Sequence, residues 1–349
     1  MSSRQLLICA VIAVATVLAG VLRYAGGAAV PAFVAAGVAL AGLAWLVAFA
    51  TESLGARLGP GMTGLLQSTL GNLPEFFVVV FALNAGEVLV AQTSLVGSLL
   101  ANGLLVLGLT IIVGAYESED GLMRFKARLP NDTMTMLMLA VFVIVLLGIA
   151  NSAGDVAARH SRAISVIAAL CLLGVYGLWL NSYLRADTAA VVELPGEPPP
   201  LALTLGLLAI AGTASAFVSD WFIHALAPAI NQLGISRAFA GLVIVAIAGN
   251  AVENTTAVLL AAKGEADLAI SVVKNSVAQI AVFLFPILIL VSLLFKDALT
   301  FVLPPVYIAS LALSALAIWQ ITGDGEARDY EGASLVSLFV IVAAVAWFE

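Results

Sequence analysis

Two short stretches of the chain place an amide three residues ahead of a carboxylate: Gly71-Asn72-Leu73-Pro74-Glu75 and Gly249-Asn250-Ala251-Val252-Glu253. At that spacing the amide and carboxylate share one face of a helix. Gly71, Pro74 and Gly249 are helix breakers. Pro74 removes a backbone donor and leaves the carbonyl of Leu70 free to face an ion. Two carboxylates, amide oxygens and loosened carbonyls form an oxygen set suited to a hard cation such as Ca²⁺, with Glu75 and Glu253 as the metal-binding pair. Buried carboxyl groups also bind protons when such a cation leaves. The blander alternative is that each Glu caps a neighbouring helix. Its recurrence in two places argues against that.

The helices that follow carry polar stripes. Ser94, Ser98 and Asn102 fall at i, i+4, i+8 with Gln92 nearby, and Ser271, Asn275 and Gln279 repeat the pattern with Ser276 adjacent. Such stripes serve a site or merely bond helix to helix. Gly97 and Gly103 read as packing positions.

These residues lie in apolar surroundings. The 349 residues are 62% hydrophobic and 10% charged, with a mean hydropathy of +1.13. A soluble domain has about 25% charged residues, so soluble enzymes, nucleic-acid binders and disordered scaffolds are excluded. A formal charge of −7 offers no basic surface for nucleic acid. Two cysteines and two histidines supply neither a disulfide framework nor a Cys/His metal cluster. A bilayer core needs roughly 20 apolar residues per helix. Eleven runs qualify, at 6–22, 27–50, 60–83, 88–114, 131–150, 161–183, 201–219, 236–262, 266–294, 299–320 and 333–348. The first could instead be a signal peptide with Arg4 as its positive region, although its apolar stretch is long for one. The alternating breaks collect 8 Lys and Arg on the N-terminal side and 5 on the other, which places the N-terminus in the cytoplasm. The expected location is a bacterial plasma membrane.

The two motifs belong to an internal repeat. Residues 71–109 and 249–287, offset by 178, share eight identities: Gly71, Asn72, Glu75, Val80, Gly86, Glu87, Ala91 and Ser98 match Gly249, Asn250, Glu253, Val258, Gly264, Glu265, Ala269 and Ser276. Five of the eight are Gly, Asn or Glu, which lipid-facing helices avoid. The motifs lie an odd number of spans apart, so the copies run in opposite directions through the membrane. Inverted repeats with a polar site at their interface are a transporter architecture. The expected fold is an all-α polytopic membrane protein of about eleven transmembrane helices containing an inverted repeat, with 186–200 as the linker between the halves.

GNLPE followed by Gln92 and GSLLAN, and GNAVEN followed by DLAISVVKNSVAQIAVFLFP, resemble the two α-repeats of the calcium/cation antiporter superfamily, most nearly its calcium/proton exchanger branch. The resemblance implies one extra N-terminal helix (1–24) plus two inverted five-helix repeats (25–185 and 201–349), and electrochemical exchange of a cytoplasmic divalent cation for protons. It implies Glu75 and Glu253 as the carriers, with Asn72, Asn250, Gln92, Ser98 and Gln279 lining the site. Glu52 and Asp220 resemble acidic residues at the family's access paths. No resident cofactor is implied, and the partners are the transported cation, protons and the bilayer; the oligomeric state is left open.

Three positions depart from the family pattern: Asn254 where His is usual, and Lys274-Asn275 before Ser276 where an aliphatic residue and Gly are usual. Lys274 is the informative one. Asp267 lies seven residues before it, so at 1.5 Å per residue the lysine sits about 10 Å inside the membrane edge. Its span offers no acidic neighbour at i±3 or i±4. Either it pairs with Glu75 or Glu253, or it snorkels to the interface. A lysine in the site would favour a monovalent cation, Na⁺ or K⁺, exchanged for H⁺. An intramembrane enzyme or chromophore protein with Lys274 as a Schiff base is a more distant reading. His224, four residues after Asp220, reads as an interfacial side chain, and Asp324, Glu326, Asp329 and Glu331 as a solvated break.

Overall fold

The computed structural model describes residues 3–58, 70–126, 128–185 and 199–349. Its helices are α1 Ser3–Tyr24, α2 Ala29–Leu58, α3 Leu73–Asn84, α4 Val88–Glu117, α5 Arg128–Ser152, α6 Ser161–Arg185, α7 Leu201–Leu233, α8 Arg237–Gly249, α9 Ala251–Ala262, α10 Ala266–Ser292, α11 Pro305–Thr322 and α12 Asp329–Trp347. Two three-residue strands, β1 Leu122–Arg124 and β2 Glu326–Arg328, pair antiparallel with Met123 opposite Ala327.

Among the described residues nine helices are long and apolar enough to cross a membrane, and α8 with Asn254–Ala262 of α9, bent by 58°, makes ten. Ten of the eleven expected runs are thereby accounted for, and the run not counted among the described residues is 60–83. Its second half is the short helix α3, and residues 60–69 lie outside the described residues. Of the linker at 186–200, only Pro199 and Pro200 are described. The run at 299–320 starts late, at Pro305. Proline fits the first helical turn, where its missing N–H costs no bond, so the Pro304-Pro305 pair sets the helix start. The preceding residues are not helical, and the Phe301 amide donates to Ser165 Oγ at 3.1 Å. The acidic break is more ordered than expected. Glu326 lies in β2 and pairs with Arg124 of β1 at 3.6 Å, and Arg124 also holds Asp120 at 2.6 Å. That pairing keeps the Asp120 carboxyl below the ordinary aspartate range.

The repeat is visible in the backbone. Gly86 and Gly264 both turn the chain at φ 76°, a left-handed value that favours glycine. Glu87 and Glu265 follow with nearly the same dihedrals, φ −86° and ψ 56° against φ −87° and ψ 60°. Both site helices then widen into a π-helical stretch, Ala101–Val106 in α4 and Ile280–Leu284 in α10. A third such stretch, Ala240–Val245, lies in α8. π-Turns are uncommon and concentrate where a helix serves a site.

The core brings the repeats together. α4 packs on α8, the C-terminal half of α4 on α12 and α9, α3 on α7, and α10 on α5 and α6, while α1 and α7 lie along α2. Phe222 of α7 and Phe33 of α2 stack with centroids 4.6 Å apart. Outward faces carry large exposed apolar side chains such as Phe142, Ile167, Leu178 and Phe217. A water-soluble surface rarely exposes so many; a lipid-facing one does.

Candidate functional site

Glu75 sits in the first turn of α3, after a helix start at Asn72 (φ −86°, ψ 13°); Asn250 starts α9 in the same way (φ −106°, ψ 13°). Pro74 falls in that first turn, so the break precedes it, and the Phe76 amide bonds the Asn72 carbonyl at 2.9 Å. In the second copy the Asn254 amide bonds the Asn250 carbonyl at 3.0 Å. The two breaks face each other: a Cβ on Gly249 would lie 3.7 Å from Glu75 Cβ. The backbone of Glu253 belongs to α9; its side chain lies outside what the structure describes.

Glu75 is 3% exposed. Ser98 of α4 donates its hydroxyl to Glu75 Oε1. Asn250 Nδ2 donates to Ser98 Oγ at 2.9 Å and to the Ala246 carbonyl at 2.9 Å. Asn102 Nδ2 donates to Asn250 Oδ1 at 3.3 Å and to Ser276 Oγ of α10 at 3.0 Å. One chain of bonds thus joins α3, α4, the α8–α9 break and α10. Asn72 is buried beside it, with its Nδ2 unbonded. Orphaned polar atoms are rare in a finished core and mark a place for a ligand, ion or water.

The remaining sequence candidates divide. Gln279 is buried at the C-terminal end of the first segment of α10, just before the π-helical stretch. Asn254 is half-buried with its Oδ1 unbonded, and Asn275 is half-buried. Gln92 donates to the Val302 carbonyl at 3.2 Å, and no hydrogen bond joins it to the cluster among the described residues. Glu52 and Asp220 are half-buried on α2 and α7. Lys274, expected near a glutamate, instead donates to Thr322 Oγ1 of α11 at 2.5 Å, and among the described residues it forms no ion pair. Helical side chains lean toward the N-terminus, which carries this one along α10 toward the end of α11. Asn102 holds the centre of the network. The i, i+4, i+8 stripe marks it, but its repeat counterpart is Ile280, so the repeat itself does not.

Ser98→Ala is expected to weaken cation binding about tenfold without unfolding the protein. A hydrogen bond to a charged group is worth about 1.5–3 kcal/mol, and both Glu75 and Asn250 lose a partner. Equilibrium binding of ⁴⁵Ca²⁺ to purified protein measures it; unchanged affinity would remove Ser98 from the site.

A buried carboxylate, amides and hydroxyls gathered where two pseudo-symmetric helix breaks meet within membrane-spanning helices define a secondary transporter, not an enzyme. The family model described as sodium/calcium exchanger protein matches residues 28–182 and 203–348. The chain belongs to that family, in its calcium/proton exchanger branch. It is 30% identical to a Ca²⁺/H⁺ antiporter of Synechocystis over 91% of both chains. It is also 30% identical to the Ca²⁺/H⁺ antiporter ChaA of Bacillus subtilis, over 88% of this chain and 89% of that one. Among solved structures, native YfkE superposes with a TM-score of 0.83 at 27% identity, covering 98% of this chain and 100% of that one.

Proposed function

We propose that this protein exchanges Ca²⁺ for H⁺ across a membrane by alternating access, with Glu75 and Glu253 carrying either the cation or protons. The observation that carries this reading is the buried Glu75 bonded to Ser98 and, through it, to Asn250 of the other repeat. Asn72, Asn250, Ser98 and Gln279 supply the further oxygens. Ca²⁺ takes 6–8 oxygen ligands at roughly 2.3–2.6 Å and tolerates irregular geometry, and a cluster drawn from four helices can adjust to it. Cation and protons compete for the same carboxylates, so one displaces the other. Coupling follows when the empty, doubly charged site cannot reorient.

Lys274 bonds Thr322, away from the cluster, so the monovalent reading loses the counter-charge that motivated it. The halves 25–185 and 201–349 would move against each other around the site, with 1–24 as an added helix and 186–200 as the tether. The excess of Lys and Arg on the N-terminal side supports a cytoplasmic N-terminus, and a bacterial plasma membrane is the location proposed.

Proteoliposomes loaded with a pH dye test the exchange. Addition of Ca²⁺ is expected to drive proton flux, and addition of Na⁺ or K⁺ is not. A response to a monovalent cation alone would overturn the substrate, and silence with every cation from folded protein would overturn the function.

A further inference from the structure

We propose that the non-helical segments 122–126 and 299–304 are two straps, one at each membrane face, which part in turn as the site opens to one side and then to the other. The inference rests on the exchange reading above and deepens it.

The segments are counterparts under the offset of the repeat. Met123 and Phe125 align with Phe301 and Leu303, and all four are buried, while Arg124 and Val302 between them are not. Each segment follows the long site helix of its own repeat and is held by the other repeat. After α4, the Lys126 amide donates to Asp267 Oδ1, in the first turn of α10, at 2.7 Å. The Lys126 ammonium pairs with the same carboxylate at 3.6 Å, and the Phe125 amide donates to the Gly325 carbonyl at 2.8 Å. After α10, the Val302 carbonyl accepts from Gln92, near the start of α4, and the Phe301 amide donates to Ser165 of α6.

α4 and α10 meet midway. Asn102 bonds Ser276 at 3.0 Å, and a Cβ on Gly103 would come within 3.9 Å of Val277 Cγ2. Asp267 precedes Ser276 by nine residues and Gln92 precedes Asn102 by ten, so each strap grips about 13–15 Å from that crossing. Because α4 spans the membrane, the two straps lie at opposite faces. Two helices that cross at their middles and belong to different halves move as a scissor. Spreading their ends at one face draws them together at the other. With both straps shut, neither pair of ends can spread. Both are shut here, and Glu75 and Asn250 are 3% and 2% exposed. Opening to one face therefore requires the strap there to yield while the other holds.

The straps suit that task. Neither segment is helical, so yielding breaks no helical bond. The Lys126 and Asp267 side chains are 82% and 43% exposed, and exposed ion pairs hold weakly. The buried side chains, Met123 and Phe125 on one strap and Phe301 and Leu303 on the other, reseat it when its face closes.

The test joins one strap covalently. Lys126→Cys is combined with Asp267→Cys in full-length protein whose Cys9 and Cys171 are replaced by alanine. The 2.7 Å bond between these residues brings their backbones within reach of a disulfide, about 4.4–6.8 Å between Cα atoms. In proteoliposomes, forming the disulfide is expected to cut Ca²⁺-driven proton flux at least about tenfold, and reduction to restore it. Each single-cysteine variant is expected to keep its flux under the same oxidant. Full flux with the disulfide formed would overturn the proposal and leave the exchange reading intact. If the thiols do not join, spin labels on the same two cysteines read the strap directly. Two distance populations are expected, shifting in weight between Ca²⁺-loaded protein and protein at low pH; one unchanging population would overturn the proposal. Reduced protein and wild type that show no flux with any cation would overturn the exchange reading and this inference with it.

Discussion

Glu75→Gln is expected to abolish Ca²⁺-driven proton flux, lowering it by more than about a hundredfold, in a protein that folds and elutes as wild type. The substitution keeps the shape of the side chain and an oxygen for the Ser98 hydroxyl, so the bonds among Ser98, Asn250 and Asn102 have no reason to break. What it removes is a negative charge in a place that is 3% exposed. There a divalent cation is held by charge, since water cannot substitute, and a loss of about 3 kcal/mol already weakens binding about a hundredfold. The amide also cannot accept a proton near neutral pH, so both sides of the exchange fail at once. Flux and ⁴⁵Ca²⁺ binding, measured on the same preparation, check this; near-normal flux would remove Glu75 from the centre of the mechanism. The repeat predicts the same result for Glu253→Gln.

The contrast with Ser98→Ala separates two kinds of contribution. The hydroxyl orients Glu75 and links it to Asn250, and its loss leaves the charge in place. A graded series, mild for Ser98 and complete for Glu75, is the signature of a site in which charge binds the cation and hydrogen bonds position the charge. Equal effects would mean that the network matters only as packing.

The sequence discloses what the repeat duplicates. Gly86 and Gly264, Asn72 and Asn250, and Glu87 and Glu265 stand out because an offset of 178 aligns them, and their backbone angles agree closely. Features found once are harder to see. Asn102 meets Ile280 under that offset, so its central position emerges only when α4 and α10 are packed together. The resemblance puts Gln92 in the site, yet its bond is to the Val302 carbonyl, in a non-helical segment that a hydropathy run conceals. The direction of Lys274 depends on Thr322, 48 residues away on another helix. The β1–β2 pair joins breaks more than 200 residues apart, with strands too short for any alternation to register. Local spacing reveals which residues share a helix face; it does not reveal which helix that face meets.

Gly97→Ala is expected to lower the melting temperature by several degrees and cut flux at least about tenfold, and Gly97→Leu to yield no folded protein. A Cβ on Gly97 would land on the backbone of Leu242 in α8, against its carbonyl oxygen and Cα. The same crossing is close from the other side, where a Cβ on Gly241 would meet the Thr93 side chain and, at 3.0 Å, the Val90 carbonyl. A side chain can rotate away from such an overlap; two helix backbones can only separate. Overpacking typically costs about 1–3 kcal/mol, and here the parting also opens the site. Ser98 follows Gly97 on α4, and Asn250 follows the C-terminal end of α8, so the crossing fixes the 2.9 Å bond between them. That coupling explains why a packing glycine should affect transport as well as stability. Gly206→Ala is the control, because a Cβ there meets nothing within 4 Å, and it is expected to leave both quantities unchanged. Melting curves and flux for the two alanine variants decide the point: matching behaviour would show that α4 and α8 do not cross this closely.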